Sequence, residues 1–414
     1  MDRGLKLKSC PKNYTVGTHR IVPPEQTLSW IKPKIEVVGI TRIADITGLD
    51  RVGIPVYSCV RPRASEGAIS VYSGKGITDI HAEVSAIMEA VERYSAEVKS
   101  EDQQRMIKSS FRELSSKCNV LNPSDLALPF TTRYRQDIPL RWVKGYDIIQ
   151  DEEILVPVSA VFHPYLPSDD LHLFRTNTNG LASGNTMEEA VLHGLMEVIE
   201  RDAWSLVELT KDEKEMIHAS DECSLAKESV KKFERNEIKI ILRDITSNLG
   251  IPVIAAVSDD LRLREPALLT MGFGAHLDPE IAAIRALTEV AQSRLTQIQG
   301  AREDTYRADF MRMLGYERIK KMNKHWFSES NDFKELQSIQ NLSKSDILDE
   351  IRLVISTLKE RGSNHIVVVD LTRKEVGIPT VRVIVLGLEV YSLDADRIGL
   401  RGRKIVEDKY WQKK

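Results

Sequence analysis

Cysteine is scarce and scattered. Cys10, Cys59, Cys118 and Cys223 form no CxxC and no close Cys/His pair, which argues against a disulfide framework or a zinc knuckle and suits thiols of a reducing compartment. No apolar run approaches the length of a membrane span, and the opening stretch MDRGLKLKSCPKNY is charged without the apolar core of a signal peptide. A soluble cytoplasmic protein is expected, with no membrane partner. An excess of one charge is also missing: 58 basic against 61 acidic residues leave a net −3, so nucleic acid is not an expected partner. Nor is there a P-loop. In Ser73-Gly74-Lys75-Gly76 no glycine stands five residues before Gly74, and Lys75 is followed by glycine rather than Ser or Thr.

What is present is one construction written three times. In GITDIHAEVSAIMEAVER, Gly76 precedes Glu89, Glu92 and Arg93 by the same distances at which Gly184 precedes Glu197, Glu200 and Arg201 in GNTMEEAVLHGLMEVIER. A third copy, HLDPEIAAIRALTEVAQSR, runs from His276 to Glu289 and Gln292, with Arg294 one position late. Each reads as strand, tight turn and amphipathic helix, with alanine six along at Ala82, Ala190 and Ala282. The polar residues nine, thirteen and sixteen along share one helical stripe: Ser85/Glu89/Glu92, His193/Glu197/Glu200 and Arg285/Glu289/Gln292. A single ExxE is ordinarily a solvated face. Threefold recurrence, with apolar residues crowding the stripe on both sides, argues instead for a site.

A second pattern also recurs. Asp45-Ile46-Thr47 precedes Gly53-Ile54-Pro55-Val56, Asp244-Ile245-Thr246 precedes Gly250-Ile251-Pro252-Val253, and Asp370-Leu371-Thr372 precedes Gly377-Ile378-Pro379. Strand, short turn and strand predict neighbouring strands in a sheet, and with the helices they predict a layered α/β (α+β) fold. Along the chain, 1–34 reads as proline-rich loop, 35–46 as a strand, 68–72 as another, 100–140 as a helix and a loop excursion, and 152–163 as strand. Charged helix is expected over 207–236, strands over 238–243, 251–257 and 267–274, and a peripheral helical insertion over 305–361. The last of the strand pairs has no acidic helix after it. The expected organisation is an N-terminal segment, 1–71, contributing to a site carried by 72–414.

Converging helices would gather Glu89, Glu92, Glu197, Glu200 and Glu289, whose charges need compensation. Mg²⁺ shared with nucleotide phosphates would supply it, and Arg93, Arg201 and Arg294 are suited to phosphate oxygens. Lys75 in the first turn, with Asn185 and Glu189 in the second, is placed to join a phosphate site, although Thr186 as N-cap with Glu189 as its capping box would also explain Glu189.

The stretches SGKGITDIHAEVSAIMEAVERYSAE, NGLASGNTMEEAVLHGLMEVIERDA, FGAHLDPEIAAIRALTEVAQSR and DLTRKEVGIPTVRVIVLGLEV resemble the YcaO family over about 20–388. The resemblance implies an ATP and Mg²⁺ site made by Ser85, Glu89 and Glu92, by Glu197, Glu200 and Arg201, and by Glu289, Gln292 and Arg294, with Arg20 and Thr27 as its N-terminal basic residue and hydroxyl. It further implies activation of a protein backbone amide by phosphorylation of its oxygen. Azoline-forming members end in a PxPxP tail, whereas no proline follows Pro379 here, and many also carry a fused peptide-binding domain. The resemblance is therefore to the archaeal thioamide-forming type, which uses sulfide or a sulfur donor on a glycine of the methyl-coenzyme M reductase alpha subunit. Leu386 stands where many relatives carry proline. A TfuA-like partner and a homodimer fit the family; no general base is assigned. The alternatives are an azoline-forming cyclodehydratase of a ribosomal peptide and a non-catalytic ATP-binding accessory.

Overall fold

The computed structural model describes residues 4–166, 169–303, 307–330 and 332–412. Of the expected insertion, 305, 306 and 331 lie outside the described residues, as do the terminal 1–3 and 413–414. Mixed helix and sheet make up the fold, as expected. The first sheet has the order β1-β2-β3 (Arg42–Asp45, Val56–Val60, Val71–Lys75). A six-stranded sheet runs β4-β5-β13-β14-β7 (Ile107–Ser110, Pro139–Asp147, Ile366–Asp370, Thr380–Val385, Leu181–Ser183), with β6 (Glu152–Pro157) on β5. The third sheet runs β11-β10-β9-β8-β12 (Met271–Ala275, Val253–Asp260, Ile238–Asp244, Met216–His218, Phe333–Glu335).

Three antiparallel triplets recur within these sheets: β1-β2-β3, β9-β10-β11 and β13-β14-β7. Each delivers its third strand into a long helix, Asp79–Ala96, Pro279–Gln299 and Met187–Thr210 respectively. The strand pair that lacked an acidic helix after it is thereby accounted for. Its helix comes earlier in the chain, because β7 docks on β14 with Ser183 opposite Thr380.

The repeated Asp-x-Thr and Gly-Ile-Pro motifs close these hairpins. Asp45, Asp244 and Asp370 accept from the N–H of Thr47, Thr246 and Thr372 at 2.8–3.0 Å. The threonine hydroxyls accept in turn from the N–H of Val56, Val253 and Thr380. Gly53, Gly250 and Gly377 sit at φ of 68°, 72° and 71°, where a side chain is strained. The prolines leave their carbonyls for the third strand: Pro55, Pro252 and Pro379 accept from the N–H of Gly76, His276 and Gly184. Thr78, Thr186 and Asp278 cap the three helices with side-chain oxygens.

Strand β10 is buried along its whole length. Val253, Ala255 and Val257 face a core with the second module helix (Ala190, Val191, Leu195, Ile199), while Ile254 and Ala256 face the third (Ala282, Ala286, Leu287). Replacing Leu195 by alanine would cost about 2–5 kcal/mol. The first helix packs Ala86, Ile87 and Ala90 on Tyr72, Ile31 and Val38.

Several local expectations are corrected. Ile35–Val38 is helical rather than extended, and Pro24–Ile31 forms a helix because its proline occupies the first turn, where no N–H is needed. Residues 207–236 divide into the end of the second module helix, β8 and the helix Ser224–Glu234. The strand expected over 152–163 ends at Pro157, and the 100–140 excursion contains β4. The 305–361 stretch is not wholly peripheral. Its helix Ile347–Glu360 buries Ile351, Val354 and Leu358 in the main core, and β12 extends a sheet. A division at 71/72 would cut through β3. Among the described residues no helix is long and apolar enough to cross a membrane.

Candidate functional site

The three module helices converge around a cavity of about 310 Å³. Their shared stripe sorts into four levels: His81/Glu189/Ile281, Ser85/His193/Arg285, Glu89/Glu197/Glu289 and Glu92/Glu200/Gln292. At the last level the helices close a ring. The Glu92 carboxylate accepts from the Ser183 N–H and hydroxyl at 3.1 and 2.9 Å, so the first helix holds the strand of the second module. Glu200 accepts from the Ala275 N–H at 3.1 Å, joining the second module to the third. Gln292 donates to the Ser73 carbonyl and returns to the first. An amide serves there because the partner is an acceptor.

Glycines let strand and helix approach. A Cβ at Gly74 would lie 1.9 Å from the Ala86 nitrogen, and one at Gly272 2.2 Å from the Ala286 carbonyl oxygen. The N-terminal segment covers the cavity through a hairpin in which Tyr14 and Arg20 exchange backbone hydrogen bonds. Glu189 fastens it: one carboxylate oxygen accepts from the Ile21 N–H at 2.8 Å, the other from the Asn185 N–H and side-chain amide at 2.8 and 2.9 Å. Thr186 does cap Glu189, at 3.3 Å. The Glu189 carboxylate reaches Asn185 and Ile21, however, so its task is to join segments. Thr27 donates to Asn185 at 2.8 Å.

Arg20, Thr27, Lys75, Ser85, Glu89, Glu92, Asn185, Glu189, Glu197 and Gln292 all line the cavity, together with Arg93, His193 and Arg285. Glu289 stands at its edge, paired with Lys75. Arg201 lies 3.9 Å from both Glu197 and Glu200 and over the Trp204 ring. Arg294 does not reach the cavity. Its fully buried guanidinium bonds Asp50 at 2.7 and 3.1 Å and Asp260 at 3.0 Å. One extra residue turns a helical position by about 100°, so a displaced arginine faces the sheet rather than the stripe. Tyr14 and His81 line the cavity without having been singled out. His81 was legible as the residue one turn before Ser85, whereas Tyr14 belongs to a hairpin with no sequence signal.

The charges are imperfectly balanced. Burial pushes the Glu92 carboxyl up to about 8, with Glu89 and Glu197 adding to it and Arg93 opposing. Burial also raises Glu197 against the pull of Arg201. Burial works against the Glu289 carboxylate too, but Lys75 and Arg201 hold it below its ordinary range. Arg20 is lowered by burial and by Arg285, and His193 is held well below its ordinary value by burial, Arg285 and Arg20. The Nε atoms of Arg201 and Arg285 are buried without a hydrogen-bond partner. Unsatisfied guanidinium donors beside under-compensated carboxyls fit an anion and a cation bound together. Among the described residues no three acidic, histidine or cysteine side chains are placed to hold a metal ion by themselves.

A family model described as YcaO cyclodehydratase, ATP- and Mg²⁺-binding, matches residues 73–389. The structure of YcaO from Methanopyrus kandleri bound with AMPPCP and Mg²⁺ superposes with a TM-score of 0.78 at 32% identity, covering 94% of this chain and 98% of that one. A protein of Methanothermobacter thermautotrophicus, described only as uncharacterized, is 50% identical over 387 residues, 93% of this chain and 99% of its own. A Rhizobium leguminosarum protein described as lying in the tfuA 3′ region is 34% identical over 90% of this chain and 89% of its own. With the family model spanning most of its length and relatives matching it nearly end to end, this chain belongs to the YcaO family, whose cofactors are ATP and Mg²⁺.

Proposed function

We propose that the chain activates a protein backbone amide with ATP and Mg²⁺ and exchanges its oxygen for sulfur, making thioglycine in the methyl-coenzyme M reductase alpha subunit. The observation that carries the reading is the set of carboxyls, Glu89, Glu92 and Glu197, that line one cavity beside Arg20, Arg93 and Arg285, with burial raising Glu92 and Glu197. Glu89, Glu92 and Glu197, with Glu200 and Glu289 beside them, would hold Mg²⁺. Arg20, Lys75, Arg201, Gln292 and Ser85 would orient the phosphates, while Thr27, Asn185 and Glu189 fix the hairpin and turn that frame them. Bound ATP supplies the phosphoryl group that makes the amide oxygen a leaving group. The residues contribute positioning and charge compensation, which supply most of the catalysis in phosphoryl transfer. Arg294 is assigned a structural role instead.

Sulfide as nucleophile is supported by the 50%-identical relative in a methanogen, and a TfuA-like partner by the relative from a tfuA region. We place the enzyme in the cytoplasm, as a homodimer, taking sulfur from sulfide or a protein donor. The description of the family as cyclodehydratases favours a second reading, azoline formation on a ribosomal peptide. Intact-mass analysis separates them. A glycine peptide from the reductase, incubated with the protein, Mg-ATP and sulfide, should gain the difference between sulfur and oxygen. Loss of water from a Cys- or Ser-bearing peptide would support the second reading, and no ATP-dependent change in either would refute both.

A further inference from the structure

The incoming nucleophile must lose a proton, and the carboxylates are committed to the ring, to arginines and to the metal. Of the two histidines that line the cavity, His193 is shut in behind Arg285, whose Nη2 lies 3.4 Å from its Nε2. The other, His81, stands one level away, at the end of the stripe farthest from the ring of Glu92, Glu200 and Gln292. Tyr14 Oη is 3.0 Å from His81 Nε2, and His81 Nδ1 is 2.7 Å from Thr78 Oγ1. We propose that Tyr14 takes the proton from the nucleophile and passes its own to His81, with Thr78 as the positioning residue that fixes the imidazole. The inference rests on the amide-activation reading but not on which nucleophile attacks.

Thr78 is the N-cap of its helix, and its hydroxyl oxygen accepts from the His81 backbone N–H. The assigned arrangement has the same oxygen accept Nδ1–H, leaving the Nε2 lone pair for the Tyr14 hydroxyl. The hairpin presents Tyr14 correctly. Tyr14 and Arg20 are a hydrogen-bonded pair, with both backbone bonds at 2.9 Å, so their side chains leave the same face. Gly17, at φ 67°, seats the turn on Ile77, where a Cβ would lie 2.4 Å from Cδ1. Val16 at the hairpin tip is 53% exposed, so the turn that carries Tyr14 lies at the protein surface.

Three charged or titratable groups face His81: Tyr14, Arg20 of the hairpin and Glu25 of the helix Pro24–Ile31. Burial lowers the imidazole, Glu25 opposes and Arg20 adds to the lowering, which keeps it neutral at neutral pH. Burial and Glu25 raise the Tyr14 phenol, so it holds its proton until one arrives. In the step, the nucleophile's S–H (or O–H) bond breaks as its electron pair bonds the amide carbon, and the C=O π pair moves onto the amide oxygen, which the phosphoryl group of ATP takes up and later carries away as phosphate. Its proton joins Tyr14 Oη, the former phenolic proton joins Nε2, and the imidazolium later returns it to solvent.

The test uses the full chain with Mg-ATP, a reductase glycine peptide and sulfide. Tyr14→Phe should lower kcat by about 10²–10⁴-fold with Mg-ATP affinity unchanged, and His81→Asn should flatten the acidic limb of the kcat profile. Wild-type kcat in Tyr14→Phe, or weakened Mg-ATP binding in either variant, would overturn the relay, the latter making these residues nucleotide contacts. NMR of histidine-labelled wild type, assigned with His81→Asn, gives an answer that needs no turnover. An Nδ1–H tautomer at neutral pH is expected; an imidazolium or Nε2–H tautomer would refute the proposal. Wild type that binds Mg-ATP yet modifies neither peptide would sink the amide-activation reading separately.

Discussion

Arg294→Met should unfold the protein more easily without touching the nucleotide. The buried guanidinium makes three bonds to Asp50 and Asp260, and Asp260 keeps two further partners, Arg51 at 2.7 Å and the Leu263 N–H at 2.9 Å. Removing one member of a buried ion-pair cluster leaves carboxylates without compensation and costs about 3–5 kcal/mol. Burial works against the Asp260 carboxylate, but Arg51, the Leu263 N–H and Arg294 hold it below its ordinary value. A depressed acid stabilises the fold above its unfolded pKa of about 3.9, and that stability is lost as pH falls through the lower folded value. The deficit of Arg294→Met should therefore be full at neutral pH and shrink below about pH 4, where the carboxyls take up protons in both proteins. Urea denaturation at the two pH values, with calorimetric titration of Mg-ATP into the folded variant, measures both quantities. A wild-type urea midpoint combined with weakened Mg-ATP binding would refute the argument and return Arg294 to the phosphates.

Glu92→Gln should cancel the thermal shift produced by Mg-ATP. Because the folded carboxyl titrates near 8, above its unfolded value, wild-type apo stability falls as pH rises toward 8, and the variant should gain on it over that window in apo melting scans. Mg²⁺ binding with ATP should expel the Glu92 proton near neutral pH, read as a dependence of calorimetric heat on buffer ionisation enthalpy. Gln292→Glu should place a carboxylate against the Ser73 carbonyl and cost about 1–3 kcal/mol, recovering at low pH where a protonated glutamate can donate. Gly74→Ala should lower the melting temperature strongly, because its Cβ would meet the backbone of the first module helix; an unchanged melting curve would contradict the close strand–helix packing.

Periodicity made the three modules visible because side chains on a helix repeat by geometry, and the motif Asp-x-Thr followed by Gly-Ile-Pro was visible because each of its residues answers a backbone need. The cavity-facing stripe followed from both. What stayed hidden depended on spatial neighbours. That Glu92 and Glu200 reach the strand of the next module, while Gln292 donates instead of accepting, requires knowing which modules touch. The displacement of Arg294 was visible as a count, but its meaning required the sheet behind it. Ile35–Val38 shows the other limit: its β-branched residues favour a strand, yet burial of Val38 against the first module helix selects a helical turn.

The middle module is assembled out of chain order, since β14, the strand that pairs with its β7, begins at Thr380, 170 residues after its helix ends at Thr210 (380 − 210). During synthesis at roughly 5–20 residues per second, that helix waits about 10–30 s for its strands. For that interval the residues that later rest on Val381 and Val383 have no sheet to cover them. A ribosome-bound chain short of Val385 therefore cannot own a finished cavity. A nonsense codon anywhere before this point would remove the heart of the protein rather than its end.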